Sequence, residues 1–129
     1  DEIERQDLLG NATRIGGLMK AELEGLAERY PFIGDVRGKG LLLAAEFVSD
    51  RETMTPLPKA LDAHQRVVDI AYERGLIIYS RRTRGGVEGD HFLVCPPMIT
   101  TEEQVGEIVT ILDATLAQLA GELSLPVRK

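Results

Sequence analysis

The sequence predicts an α+β fold: a small, mostly antiparallel sheet of three or four strands with helices on one face. Two periodicities and their order carry this expectation. Apolar residues step by threes and fours in three separate segments, as on amphipathic helices. Four short segments, near residues 34–38, 41–48, 76–81 and 91–95, are punctuated by glycine or proline and read as strands, the second of them apolar on both faces through Ala45. The resulting order, α-β-β-α-β-β-α, belongs to an α+β layer. The 129 residues make one domain, 1–129, by the usual length of roughly 100–200 residues per domain.

The elements follow in order. Residues 1–30 form one long helix, with Leu8, Ala12, Ile15, Met19, Leu23, Leu26 and Tyr30 on its core-facing line. Glu4, Arg5, Arg14, Lys20, Glu24 and Glu28 fill the opposite face. Gly10, Gly16, Gly17 and Gly25 interrupt the pattern at a cost of ~1 kcal/mol each relative to Ala, so packing has to hold the helix, and the glycines invite close approach of a neighbour. Leu9 and Leu18 fall off the line, which predicts an apolar patch for a partner to cover. Pro31 ends the helix.

The stretch "GDVRGKGLLLAAEF" then raises the question of what its glycines admit. A phosphate loop would feed a helix and continue from Lys into Ser or Thr, whereas "RGKG" feeds a strand. The expectation is a tight turn or bulge that lets a neighbouring backbone pass. Residues 49–58 read as a polar loop closed by Pro56 and Pro58. A second helix spans 59–74, with Leu61, Val68 and Ala71 inward, flanked by Val67 and Ile70, and with Gly75 as its C′ residue. Strands at 76–81 and 91–95 flank a glycine-bearing connection, and Pro96 and Pro97 stop the last one. Thr100 with Glu103 makes a capping box for a final helix whose buried line is Val105, Ile108, Leu112, Thr115, Leu119 and Leu123.

Charge and chemistry narrow the function. The formal net charge of -6 argues against nucleic acid as partner and offers nothing to an anionic membrane. No apolar run approaches the ~18 residues of a membrane span. The lone Cys95 excludes an internal disulfide and fits a reducing compartment, hence a cytoplasmic location. His91 and Cys95 would make a partial metal site at most, and ~13 Å of strand rise separates them, too far for a nucleophile and its base. No metal is expected; Cys95 reads as a small core residue and His91 as a hydrogen-bonded strand-end residue. The cluster "RRTRGG" is the densest basic stretch of an acidic chain, either a solvated hairpin tip or a carboxylate receptor. The chain opens within a helical pattern and without Met, as a piece of a longer protein would.

Three stretches taken together, "IGDVRGKGLLLAAEFV", "ERGLIIYSR" and "GDHFLVCPPMITTEEQV", resemble the C-terminal small domain of class III pyridoxal-phosphate aminotransferases. The resemblance runs from about residue 7 to residue 123, with the motifs in the family's order and spacing. It implies an enzyme that moves an amino group from an amine or ω-amino donor to a keto acid, with this domain closing over the substrate. The pyridoxal phosphate would be held by a lysine of a large domain of the same enzyme, which would be the chain's main partner, in a homodimer. Lys20, Lys39, Lys59 and Lys129 match no family lysine context, so the chain is assigned no catalytic residue and is expected to be inactive alone. The alternative is a free-standing α+β ligand-binding, regulatory or interaction module.

Members similar to ornithine, acetylornithine and 4-aminobutyrate aminotransferases carry an arginine before the proline pair. Here that position is Leu93, as in the ω-transaminase branch, where an arginine from the preceding loop swings in for carboxylates and out for apolar groups. The resemblance thus implies a substrate-binding role for one of Arg81, Arg82 and Arg84, with Arg82 or Arg84 favoured because Arg84 lies on the loop and Arg81 and Arg82 alternate in facing.

Overall fold

Helix α1, Glu2–Arg29, spans 28 residues on the strength of its apolar line. Ile15, Met19, Leu23, Leu26 and Tyr30 are buried as their spacing predicts, and Ala12 is half-buried. The structure, a computed structural model, describes residues 2–39, 41–58, 61–82, 90–95 and 100–127, and the side chains of Glu4, Arg5 and Leu8 lie outside the described ones. A Cβ added at Gly10, Gly17 or Gly25 would meet nothing within 4 Å, so these glycines do not admit a neighbour as expected. Leu9 is 53% exposed, whereas Leu18 packs partly against the core.

Strands β1 (Ile33–Lys39) and β2 (Leu42–Asp50) form an antiparallel hairpin with a register shift between Ile33 and Asp35. Gly34 sits in that irregularity, where an added Cβ would lie 2.6 and 2.7 Å from the two Val48 methyls. At Gly38 it would lie 2.8 Å from the Leu42 carbonyl oxygen and closer still to Leu43. The glycines therefore admit β2 of the same chain, by the route the sequence suggests. Gly40 lies outside the described residues.

The expected polar loop after β2 is instead a second hairpin. β2 continues to Asp50, and a turn leads into β3, Thr55–Pro56, which pairs with β2. Asp50 Oδ1 accepts a hydrogen bond from the Glu52 amide at 2.9 Å, an Asx-type turn that redirects the chain. At its tip Arg51 Nη2 donates to the Ala27 carbonyl at 2.5 Å, placing a cation on the C-terminal carbonyls of α1.

Helix α2 is Ala63–Glu73, shorter than expected because Asp62 holds a left-handed conformation (φ 52) that cannot continue a helix N-terminally. Its buried line is Ala63, Val67, Ile70 and Ala71, while Leu61 and Val68 are only half-buried, so the inward face is turned by about one residue from the predicted one. Gly75 (φ 91) ends it as foreseen: its amide donates to Tyr72 and that of Leu76 to Ala71, a Schellman motif. That motif occupies the Leu76 amide, so β4 begins later than predicted, at Tyr79–Arg82. β5 is Asp90–Val94; Cys95, expected in the core, lies beyond it and is exposed. The connection 83–89 and the Pro96–Pro97 stop lie outside the described residues.

Helix α3, Glu102–Leu123, is capped one residue later than predicted. Thr101 Oγ1 accepts from the Gln104 amide at 3.2 Å, and Gln104 Oε1 accepts from the Thr101 amide at 2.9 Å. Thr100 is buried, and its carbonyl accepts from Asn11 Nδ2 at 3.2 Å, which ties it to α1. The buried line gains Leu116 and Ala120, while Ile108 and Leu123 are half-buried.

The sheet order is β1-β2-β5-β4, antiparallel throughout, with β3 on β2 to one side. Leu43, Ala45 and Phe47 of β2 and Phe92 and Val94 of β5 face the helices and are buried with them. Tyr30, Phe32, Phe47 and Phe92 run through this core as a file of tilted rings 5.5–5.7 Å apart. Among the described residues no helix is long and apolar enough to cross a membrane.

Candidate functional site

The face of the sheet away from the helices is organised in rows by strand pairing. In one row Asp35 of β1 pairs with Glu46 of β2, Glu46 with His91 of β5, and His91 with Arg81 of β4. In the next, Arg37 pairs with Ala44, Ala44 with Leu93, and Leu93 with Tyr79. The first row is polar and the second mostly apolar. The apolar side continues to Leu42, which is 61% exposed, and Tyr79 is 58% exposed.

The polar row is internally compensated at one end. Arg37 Nη1 lies 3.0 Å from Asp35 Oδ2 and 3.1 Å from Glu46 Oε2, so one guanidinium serves two carboxylates on adjacent strands. Glu46 is the less exposed of the two, at 21% for its side chain against 42% for Asp35. His91, next in the row, is buried although it stands on the face without helices.

Of the arginines singled out in the sequence, Arg81 and Arg82 are the last two residues of β4, and Arg84 lies outside the described residues. Register separates the first two. Arg81 is placed on the open-face row with His91 and Glu46, whereas Arg82 pairs with Asp90 and shares the parity of Ser80, which pairs with the buried Phe92. Leu93 stands between Ala44 and Tyr79 and offers no charge.

The strand carrying the arginines is held from behind by α2. His64 Nδ1 lies 3.3 Å from Ser80 Oγ, and its Nε2 lies 3.4 Å from Asp62 Oδ1. Sequence reading missed both this clasp and the Asp35–Arg37–Glu46 cluster. Only Arg37 with Asp35, two apart on one strand, carried a local hint. Elsewhere, ion pairs join the helices: Arg66 and Glu122 link α2 to α3 through two hydrogen bonds of 2.6 and 2.9 Å. Arg66 and then Gln118 hold the Glu122 carboxyl down at about 2.

Pyridoxal phosphate needs an amine to hold its aldehyde, an acid for its ring nitrogen and donors for its phosphate. Lys20 stands half-buried on α1 and Lys39 ends β1, while Lys59 and Lys129 lie outside the described residues. The Lys39 side chain lies outside the described ones as well, which leaves Lys20 the one lysine whose side chain is described. The described residues do not gather three His, Cys, Asp or Glu side chains that could hold a metal ion.

Comparison with known proteins points one way. The family model described as Aminotransferase class-III matches residues 1–116. An uncharacterized aminotransferase of Sinorhizobium fredii is 38% identical over 95% of this chain and 25% of its own length. A taurine–pyruvate aminotransferase of Bilophila wadsworthia is 39% identical over 86% of this chain and 24% of its own. The crystal structure of an amine transaminase from an uncultivated Pseudomonas species, in its PLP-bound form, superposes with a TM-score of 0.76 at 34% identity, over 91% of this chain and 25% of that one. The chain thus spans about a quarter of the length of the relatives it matches. With a helix-backed antiparallel sheet of matching shape and a family match over most of its residues, the chain belongs to the class III aminotransferases.

Proposed function

We propose that this chain is the C-terminal small domain of an ω-transaminase-like enzyme that transfers an amino group from an amine or ω-amino donor to a keto acid. The family match over residues 1–116, in a chain that spans a quarter of its relatives, carries the reading. In it, the large domain of the same enzyme holds pyridoxal phosphate and is this domain's partner, and the complete enzyme is a homodimer of the reducing cytoplasm. The open sheet face supports that partnership: Leu42 and Tyr79 are exposed apolar side chains on a face that no described helix covers.

The chain's own part is to close over the substrate and hold its carboxylate. Pyruvate, named in the Bilophila wadsworthia relative, is such a keto acid. Leu93 cannot bind an anion, so the receptor comes from Arg81, Arg82 or Arg84. A bidentate guanidinium–carboxylate contact is worth roughly 1.5–3 kcal/mol. Replacing each arginine by Ala in the complete enzyme tests this. One variant loses about ten- to a hundredfold in kcat/KM on a keto-acid acceptor and little on an uncharged aldehyde acceptor. Equal, small effects on both acceptors in all three variants would return the cluster to the solvent.

A further inference from the structure

We infer that Glu46 and Arg37 are specificity-determining residues that set, by charge alone and with opposite signs, how strongly the arginine end of β4 prefers a carboxylate substrate. The inference rests on the carboxylate reading above and goes beyond it, since neither residue belongs to the arginine cluster. Strand pairing places Glu46, His91 and Arg81 in one row on neighbouring strands. At ~4.8 Å between strands, the Glu46 and Arg81 backbone positions are about 10 Å apart. His91, between them, is 7% exposed. A unit charge at that distance and an effective dielectric of about 20 changes an ion's binding by roughly tenfold, and salt reduces this.

The Glu46 charge is held in check by Arg37 at 3.1 Å, which also serves Asp35 at 3.0 Å. Asp35, Arg37 and Glu46 together carry one positive and two negative charges, an excess of one negative charge in a cluster two strands from Arg81. A substrate carboxylate arriving there is repelled by that excess. Neutralising Glu46 leaves Arg37 balanced by Asp35 and removes the excess. Neutralising Arg37 leaves two uncompensated carboxylates and doubles it. An uncharged acceptor feels neither change.

The test uses the complete enzyme and four measurements per variant: kcat and KM for a keto acid and for an uncharged aldehyde. Glu46→Gln is expected to lower the keto-acid KM about three- to tenfold and Arg37→Gln to raise it by a similar factor, with the aldehyde KM within about twofold in both. The two shifts converge in ~1 M salt, where the screening length falls to about 3 Å. Variants that merely loosen the sheet would move both acceptors, and in the same direction. That outcome, or no shift in either variant, overturns the inference. Arg81→Ala, Arg82→Ala and Arg84→Ala run alongside. If one of them selectively loses the keto acid while Glu46→Gln and Arg37→Gln do nothing, the charge inference alone falls. If none does, the carboxylate reading falls and takes this inference with it.

Discussion

The two faces of the sheet are made from the same strands by alternate residues, yet they are built to different rules. On one, Leu43, Ala45, Phe47, Phe92 and Val94 are buried with the helices around a file of aromatic rings. On the other, Leu42 and Tyr79 stand exposed beside a three-residue charge cluster. A side chain on the first face contributes to stability whatever else the protein meets. One on the second contributes little until something covers it, and so is available for selection by partner and substrate. A period of two is what allows one strand to serve both ends.

The largest expected effect lies on the covered face. Phe47 touches both Phe32 and Phe92 in the ring file, and Phe47→Ala is expected to cost about 3–5 kcal/mol, measured by urea denaturation of the chain. A loss below about 1 kcal/mol would mean that the two faces do not differ as described. An intermediate effect lies in the seam between α1 and α3. The Tyr30 hydroxyl donates to the Asp113 carboxylate, and burial, followed by Asp113, pushes its pKa up to about 12. The folded state therefore keeps a proton that the unfolded chain gives up near 10. This contribution is whole below pH 10 and is lost as pH rises towards about 12. Tyr30→Phe should cost about 1 kcal/mol at neutral pH and flatten the alkaline decline in a denaturation series from pH 8 to 12. The smallest effect belongs to the open face. Leu42→Ser should change the stability of the chain by less than about 0.5 kcal/mol, while in the complete enzyme it weakens the domain contact and lowers the melting temperature.

Elements with one strong periodicity were legible in the sequence, and those decided by competing caps were not. Ile15, Met19, Leu23 and Leu26 announce α1 because their spacing admits no other period. "TTEEQ" holds two capping frames, Thr100 with Glu103 and Thr101 with Gln104. The choice falls to the second because Asn11, 89 residues away, bonds the Thr100 carbonyl. β4 starts late because the Leu76 amide is spent on the cap of α2, a choice that local apolar character does not reveal. The arginines of the candidate site came from family resemblance and composition. Their alignment with Glu46 and His91 is a property of sheet order, and no local pattern encodes which strands lie side by side.

That sheet order also dictates when the fold can form. β2 and β5 are neighbours at the centre of the sheet, but the connection between them runs from Asp50 to Asp90. The β1–β2 hairpin closes locally, in the microsecond range typical of hairpins. Phe47 then waits for Phe92, and Tyr30 for Asp113, before either is enclosed. On a ribosome adding about 5–20 residues per second, the exposed half-sheet persists for seconds before its second half arrives. During that interval β2, which begins "LLAA", presents an unpaired edge, the kind of surface that another nascent chain extends. The order that brings Glu46 beside His91 thus also makes the synthesis of the last third of the chain the step at which aggregation competes with folding.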